Sequence, residues 1–255
     1  MVFNDAMDML NDSTHPCRHF LRWQEEKGYT PFQLPEPFSG KECQLGIAFL
    51  GMNPSVAADE IIPCATEEIS FEQYDNYFRD RFEQKNRDPR GKLVIRYKNG
   101  SLGRPTLWNN LELFGREYLK SACGPEGFKL GKDAVLSQAI HYKSLNGWLG
   151  DTGLEKQRVI SHQRAFMQRL LDEDCISILV PMGNDALAML SNLISFSKNV
   201  PSSISEAMGN LYQGKTNSGK QISVCPIKHL SRPPGPELKR KVAGQILTAI
   251  ELTKS

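Results

Sequence analysis

No pair of cysteines in the 255-residue chain has the C-x-x-C spacing of a zinc ribbon or an iron–sulfur cluster. The six cysteines, Cys17, Cys43, Cys64, Cys123, Cys175 and Cys225, are scattered singly. In a cytosolic protein this also argues against a disulfide framework. Neither a metal nor a cofactor is therefore expected. Cys175 and Cys225 sit in apolar, strand-like runs and read as small core residues. No apolar run approaches the ~20 residues that span a bilayer. The opening residues, MVFNDAMDMLNDS, are acidic and lack the basic start of a secretory leader. These absences predict a cytoplasmic protein with no membrane association. Charge of one sign is missing too, since 31 Lys and Arg face 29 Asp and Glu. Two local runs nevertheless lean basic, Arg79 to Lys92 and Lys228 to Lys241. Each alone reads as a solvated face, but two such loops beside one crevice form a surface able to track phosphates.

Leu45 to Ser55, LGIAFLGMNPS, is the organising stretch. Ile47 to Leu50 read as a strand buried on both faces, as in a parallel sheet. Gly51 and Pro54 break it and leave Asn53 at its carboxyl end, where open α/β sheets bind ligands. Before it, residues 1–28 read as two helices interrupted by Pro16. After it, residues 56–105 form a long, lid-like insertion. The insertion has a helical segment from Phe71 and a hairpin tip at Asn99-Gly100. Further strands are predicted in Asp133–Ser144, at Ile176–Val180 and at Ile222–Ile227. Helices are predicted at Thr106–Leu119, Gly153–Asp172, Asn184–Ile194 and about Pro236–Leu252. Alternating strands and helices predict one domain over 1–255, a three-layer α/β/α sandwich around a mainly parallel four-stranded sheet. There is no internal repeat. Three strand ends should share one edge, carrying Asn53, then His141, Tyr142 and Lys143, then His229, Ser231 and Arg232.

Two local patterns invite other readings. Gly209 to Thr216, GNLYQGKT, matches the phosphate-binding pattern G-x-x-x-x-G-K-[ST]. That chemistry needs a strand before the loop and a helix after it. Here a polar loop precedes the pattern and a turn and strand follow, which predicts a hairpin. His15, Cys17 and His19 are alternate residues around a proline with no fourth ligand nearby. They are expected to serve as a cap and core contacts, not as a metal site.

Gly51-Met52-Asn53-Pro54-Ser55 resembles the first motif of the uracil-DNA glycosylase superfamily, in the form used by its mismatch-specific and single-strand-selective branches. His229-Leu230-Ser231-Arg232-Pro233 resembles the second motif, with leucine where those branches have proline. The segment ILVPMGNDALAML between them resembles the family's strand–Gly–helix unit. The likeness spans about residues 45–250. It implies a monofunctional DNA glycosylase that flips a pyrimidine from the stack and hydrolyses its N-glycosidic bond, in base-excision repair or in defence against phage DNA. Asn53 would place a water against C1′, and His229 would donate a hydrogen bond to the departing base. Gly51, Met52, Pro54 and Ser55 would wall the base site. Ser231 and Arg232 would meet DNA. No lysine lies in either motif, so no Schiff-base lyase step is expected.

Family members often end the second strand with an asparagine that reads the uracil edge. Here that region offers His141, Tyr142, Lys143 and, slightly later, Asn146. With the long insertion, these residues suggest a bulkier modified pyrimidine such as a hypermodified cytosine. Tyr77, Phe78 or Tyr97 could stack on the base. Lys143, Arg79 and Arg81 join the expected DNA-binding set, and DNA is the expected partner of a monomer. The alternatives are a non-catalytic nucleic-acid-binding module on the same fold and a P-loop nucleotide hydrolase. Taken alone, Asn53 also fits a plain Asn-Pro turn, and a lone histidine is more often structural than catalytic.

Overall fold

The computed structural model describes residues 2–52, 54, 59–66, 68–143 and 153–254. The sequence-predicted sites Asn53, Ser55 and Asn146 lie outside the described residues.

The first strand, β1 (Ile47–Gly51), is buried at every position. Its side chains alternate between two cores: Ile47 and Phe49 join one cluster, Ala48 and Leu50 the other. This is the pattern of a strand covered on both faces. The N-terminal helices α1 (Val2–Asn11) and α2 (Arg18–Glu26) pack on the Ala48 side through Phe3, Met9, Phe20 and Leu21. Helix α3 (Phe71–Arg79) begins at Ser70, whose side chain and that of Gln73 form a reciprocal capping box. A small antiparallel hairpin, β2 (Ile95–Arg96) and β3 (Leu102–Gly103), turns at Asn99-Gly100 as expected. The described residues of the insertion are packed: Tyr74 and Phe78 enter one core, Phe82 and Leu93 the other.

Next come α4 (Thr106–Tyr118), β4 (Ala134–Gln138), α5 (Gly153–Asp172), β5 (Ile178–Pro181), α6 (Asn184–Ser191), β6 (Ile194–Phe196), α7 (Ile204–Ala207), β7 (Tyr212–Thr216), β8 (Gln221–Val224) and α8 (Pro236–Lys254). Among the described residues the main sheet has six strands in the order β4-β1-β5-β8-β7-β6, not the expected four. The four parallel strands are the predicted ones. The two additions are antiparallel. The helix expected to reach Ile194 stops at Ser191, and β6 begins at Ile194. β7 is the first arm of the predicted β7–β8 hairpin. The GNLYQGKT pattern therefore runs into β7, and Gly214 and Lys215 pair with Ile222 and Gln221. No helix starts there, so the phosphate-cradling geometry does not form.

The step from β1 to β4 runs one way across the sheet, and the steps to β5 and β8 run the other way. Keeping both crossovers right-handed requires their helices on opposite faces. Helix α4 accordingly packs with α8 on the Phe49 face, and α5 and α6 pack on the Leu50 face. This reversal creates a switch point between β1 and β5, the position outside the strand ends where open α/β sheets bind ligands. Ser39 pairs with Leu136 and covers the β4 edge of the sheet. Cys225 is buried as expected, whereas Cys175, just before β5, is exposed.

Candidate active site

The ladder hydrogen bonds continue past the strand ends and fix the loops relative to one another. Ala139 and Ile140 donate to the carbonyls of Gly51 (2.9 Å) and Met52 (2.7 Å). Met182 donates to Leu50 at 2.8 Å, and Gly183 donates to Ile227 at 3.0 Å. Gly183 has φ 105°, a left-handed backbone that favours glycine, and it turns the chain directly into α6. One strand separates the β1 end from the β8 end. At ~4.8 Å per strand this sets them about 10 Å apart, enough for a flat heterocycle to sit between them.

His229 follows the β8 extension by two residues and is exposed. The Ser231 amide donates to its Nδ1 at 3.4 Å, and the Ser231 hydroxyl lies 2.7 Å from the same nitrogen. An amide can only donate, so Nδ1 accepts and the ring proton resides on Nε2. Partial burial lowers the pKa of His229 below its ordinary 6.5, so the ring is neutral near neutral pH. The outcome is an N–H donor free of formal charge at the crevice. Ser231, expected to meet a phosphate, is engaged in orienting His229. Arg232 is exposed and its amide closes a turn onto the His229 carbonyl at 3.0 Å. Leu230, at the family's proline position, is fully buried on the α4–α8 face. Its carbonyl accepts from the Asn110 amide of α4 at 2.7 Å. Leucine thus anchors this loop by packing.

On the β1 side, Gly51 is buried and Met52 half-buried against the core, and Pro54 is buried. A Cβ on Gly51 would lie 2.3 Å from Oε1 of Gln138, its partner in the β1–β4 register. The Gln138 amide lies across Gly51, in the space a side chain there would take. The Asp133–Ser144 run predicts a strand ending near His141, which leaves Gln138 inside the strand. The strand stops at Gln138, which puts an amide at the sheet's carboxyl edge.

The residues beyond it are corrected accordingly. Tyr142 is fully buried, stacks on Phe20 at 5.3 Å and donates its hydroxyl to Asp5 at 2.6 Å. His141 is buried, with Nδ1 2.9 Å from Gln163 Oε1. Burial depresses its pKa to about 4. Its ring borders a separate cavity of about 360 Å³, lined by Phe3, Phe71, Tyr74, Ser137 and Phe166, on the sheet face opposite Gln138. Lys143 is 1% exposed and its Nζ lies 2.5 Å from Glu36 Oε1. Arg81 is buried as well, 3.0 Å from Glu36 and 3.1 Å from Glu60, with its guanidinium 4.4 Å from the Trp108 ring centroid. Neither cation can reach DNA. Arg79 is exposed but borders a groove with Lys41, Lys129, Gly131 and Lys132. That groove lies at the amino end of β4, away from the crevice. Phe78 is core, Tyr77 hydrogen-bonds Glu60, and Tyr97 packs across Gly103. None of the three faces the strand ends.

Basic residues do reach the crevice rim from elsewhere. Arg90, Lys92 and Arg104 line a groove of about 280 Å³ with Thr106, Asn109 and Asn110. Asn110 is the residue that holds the Leu230 carbonyl, so this groove adjoins the His229 loop. Asp88 accepts the amides of Arg90 and Lys92, each at 2.9 Å, and pairs with Arg104 at 2.6 Å. The basic loop is thereby held in one shape.

No family model matches the chain, and no curated protein matches its sequence. Gln138 ends β4 and His229 follows β8, at the same carboxyl edge of the parallel strands, and the Arg90, Lys92 and Arg104 groove reaches the His229 loop through Asn110. Among the described residues no helix is long and apolar enough to cross a membrane.

Proposed function

We propose that the chain is a monofunctional DNA glycosylase, cytoplasmic and monomeric, that releases uracil or a modified pyrimidine and leaves an abasic site. What supports this reading is His229, in the loop after β8, whose Nδ1 accepts from the Ser231 amide and so leaves the ring proton on Nε2, together with the motif resemblance. In the proposed reaction the glycosidic bond breaks with its electron pair passing to the base. Water oxygen bonds to C1′, and one water proton neutralises the departing base or passes to solvent. His229 donates to a base carbonyl oxygen as negative charge grows there. A preorganised donor of this kind contributes roughly 10²–10³ in rate. Asn53, which follows Met52 in sequence, is assigned the water by the motif resemblance. Gln138 offers both a donor and an acceptor to a base edge. Arg90, Lys92, Arg104 and Arg232 supply phosphate contacts.

Burial of His141 and Tyr142 and the packing of the insertion remove the grounds for favouring a bulky base. The choice therefore rests on experiment. Purified protein is incubated with DNA containing uracil, hydroxymethylcytosine or its glucosylated form, and released bases are identified by mass spectrometry. Base release that is lost in Asn53→Ala and His229→Ala supports the proposal. DNA binding without release from any substrate would leave the non-catalytic binding module as the better reading.

A further inference from the structure

Two neighbouring donors, His15 and Cys17, are met by a third from far along the chain, His162, on the N-terminal side of the molecule. One ligand atom each from His15, Cys17 and His162 lies within 4.8 Å of the other two. Cys17 and His15 belong to the link between α1 and α2, and His162 belongs to α5. Asp5 of α1 joins them: its Oδ1 lies 3.2 Å from His15 Nε2 and 2.7 Å from His162 Nε2. Its Oδ2 accepts the Tyr142 hydroxyl. The Gln163 amide points at Cys17 Sγ from 3.8 Å.

We infer that this cluster is a site for one divalent borderline metal, Zn²⁺, coordinated by Cys17, by one nitrogen each of His15 and His162, and by a solvent molecule in the fourth position. Two imidazoles and a thiolate are a donor set that zinc prefers. Tetrahedral zinc with bonds of ~2.0–2.3 Å separates its donors by roughly 3.3–3.8 Å, so the observed spacing needs only a small contraction. Asp5 grips both rings, as carboxylates do beside metal-bound histidines. His15 Nδ1 now accepts the Cys17 amide at 3.1 Å, a contact that a metal on that nitrogen replaces. Binding releases one proton, from the Cys17 thiol, whose sulfur becomes the thiolate ligand. Cys17 is fully buried, so the metal is shielded from bulk solvent on that side. The role is a staple: it joins the N-terminal helices to α5 and, through Asp5, to the segment that follows β4. His19, the third member of the pattern seen in the sequence, instead packs against Phe20 and Trp23. His162 takes its place.

The test uses the full chain and reads metal, not base release, so it is independent of the glycosylase proposal. The protein is purified without chelator and its metal content is measured by elemental mass spectrometry. Metal-free protein is then titrated with Co²⁺ and with Zn²⁺ against a chromophoric chelator. The proposal expects one equivalent of zinc, tetrahedral ligand-field bands with Co²⁺ and a thiolate charge-transfer band that is absent in Cys17→Ser. It also expects affinity on the order of 10- to 100-fold weaker in Asp5→Asn. Chelation should lower the unfolding midpoint of wild type and leave that of His162→Gln unchanged. Wild-type protein that binds neither metal, or whose Co²⁺ spectrum lacks the sulfur band, would overturn the site. That readout needs no variant and is unaffected if a variant misfolds.

Discussion

Replacing Glu36 by Gln tests whether the buried charge cluster behind the crevice holds the insertion to the sheet. Glu36 Oε1 is shared by Lys143 Nζ at 2.5 Å and Arg81 Nη1 at 3.0 Å, and all three side chains are buried. Burial alone raises the Glu36 pKa, but the Arg81 and Lys143 charges outweigh it and bring the group from 4.5 down to about 2. That difference corresponds to about 3 kcal/mol of folding free energy. Because the folded pKa is depressed, the contribution is complete above about 4.5 and disappears as pH falls to about 2. Glu36→Gln leaves Lys143 buried without its carboxylate, while Arg81 keeps Glu60. Breaking one partner from a buried pair costs about 3–5 kcal/mol. Urea unfolding followed by tryptophan fluorescence at a series of pH values should show this loss at neutral pH. The gap between variant and wild type should then narrow by about 3 kcal/mol as acid is added. Adding Lys143→Met should recover much of the loss, since an apolar side chain needs no counter-charge. Equal stabilities at neutral pH, or parallel acid profiles for variant and wild type, would refute the reasoning.

Other consequences concern the crevice. His229→Ala should slow base release by roughly 10²–10³ with DNA affinity nearly unchanged in a gel-shift assay. Lys92→Ala and Arg232→Ala should each weaken DNA binding across sequences and reduce the salt slope by about one, measured by fluorescence anisotropy at several ionic strengths. Gly51→Ala pushes a methyl against the Gln138 amide, the movable end of a flexible side chain. Activity should fall while the unfolding midpoint shifts little, and Gln138→Ala added to it should cost little more. Leu230→Ala empties a fully buried position and should cost about 2–5 kcal/mol in chemical denaturation.

Local patterns carried most of the fold. Alternate burial along Ile47–Leu50, the Asn99-Gly100 turn and the amphipathic stretch ending at Asp172 each encode their element within a few residues. What escaped depends on distant partners. Lys143 and Arg81 look like surface cations until Glu36 is folded against them. His162 joins His15 and Cys17 only because α5 returns across α1. The edge strand β6 escaped because Ile194–Phe196 continues an apolar helix pattern, and only pairing with β7 decides its state. At the site, the misplaced strand end moved attention from Gln138 to His141 and Tyr142. A strand's last residue is set by its neighbour's hydrogen bonds more than by its own sequence.

The order of the sheet also bears on how the molecule assembles. β8 pairs with β7 across a tight turn, and β6 lies a short loop upstream of β7, so these strands can meet through local contacts. β1 must wait for β4 and β5, which are synthesised much later, and parallel partners so far apart close slowly. The His229 arm and the Gly51 arm should therefore mature at different times. Pulse-labelling by hydrogen exchange during refolding should find the amides of Ile222–Val224 protected before those of Phe49 and Leu50. Until β1 docks, the carboxyl edge of the sheet carries the β8 loop without its β1 counterpart, so the proposed site is the last part of the sheet to be completed.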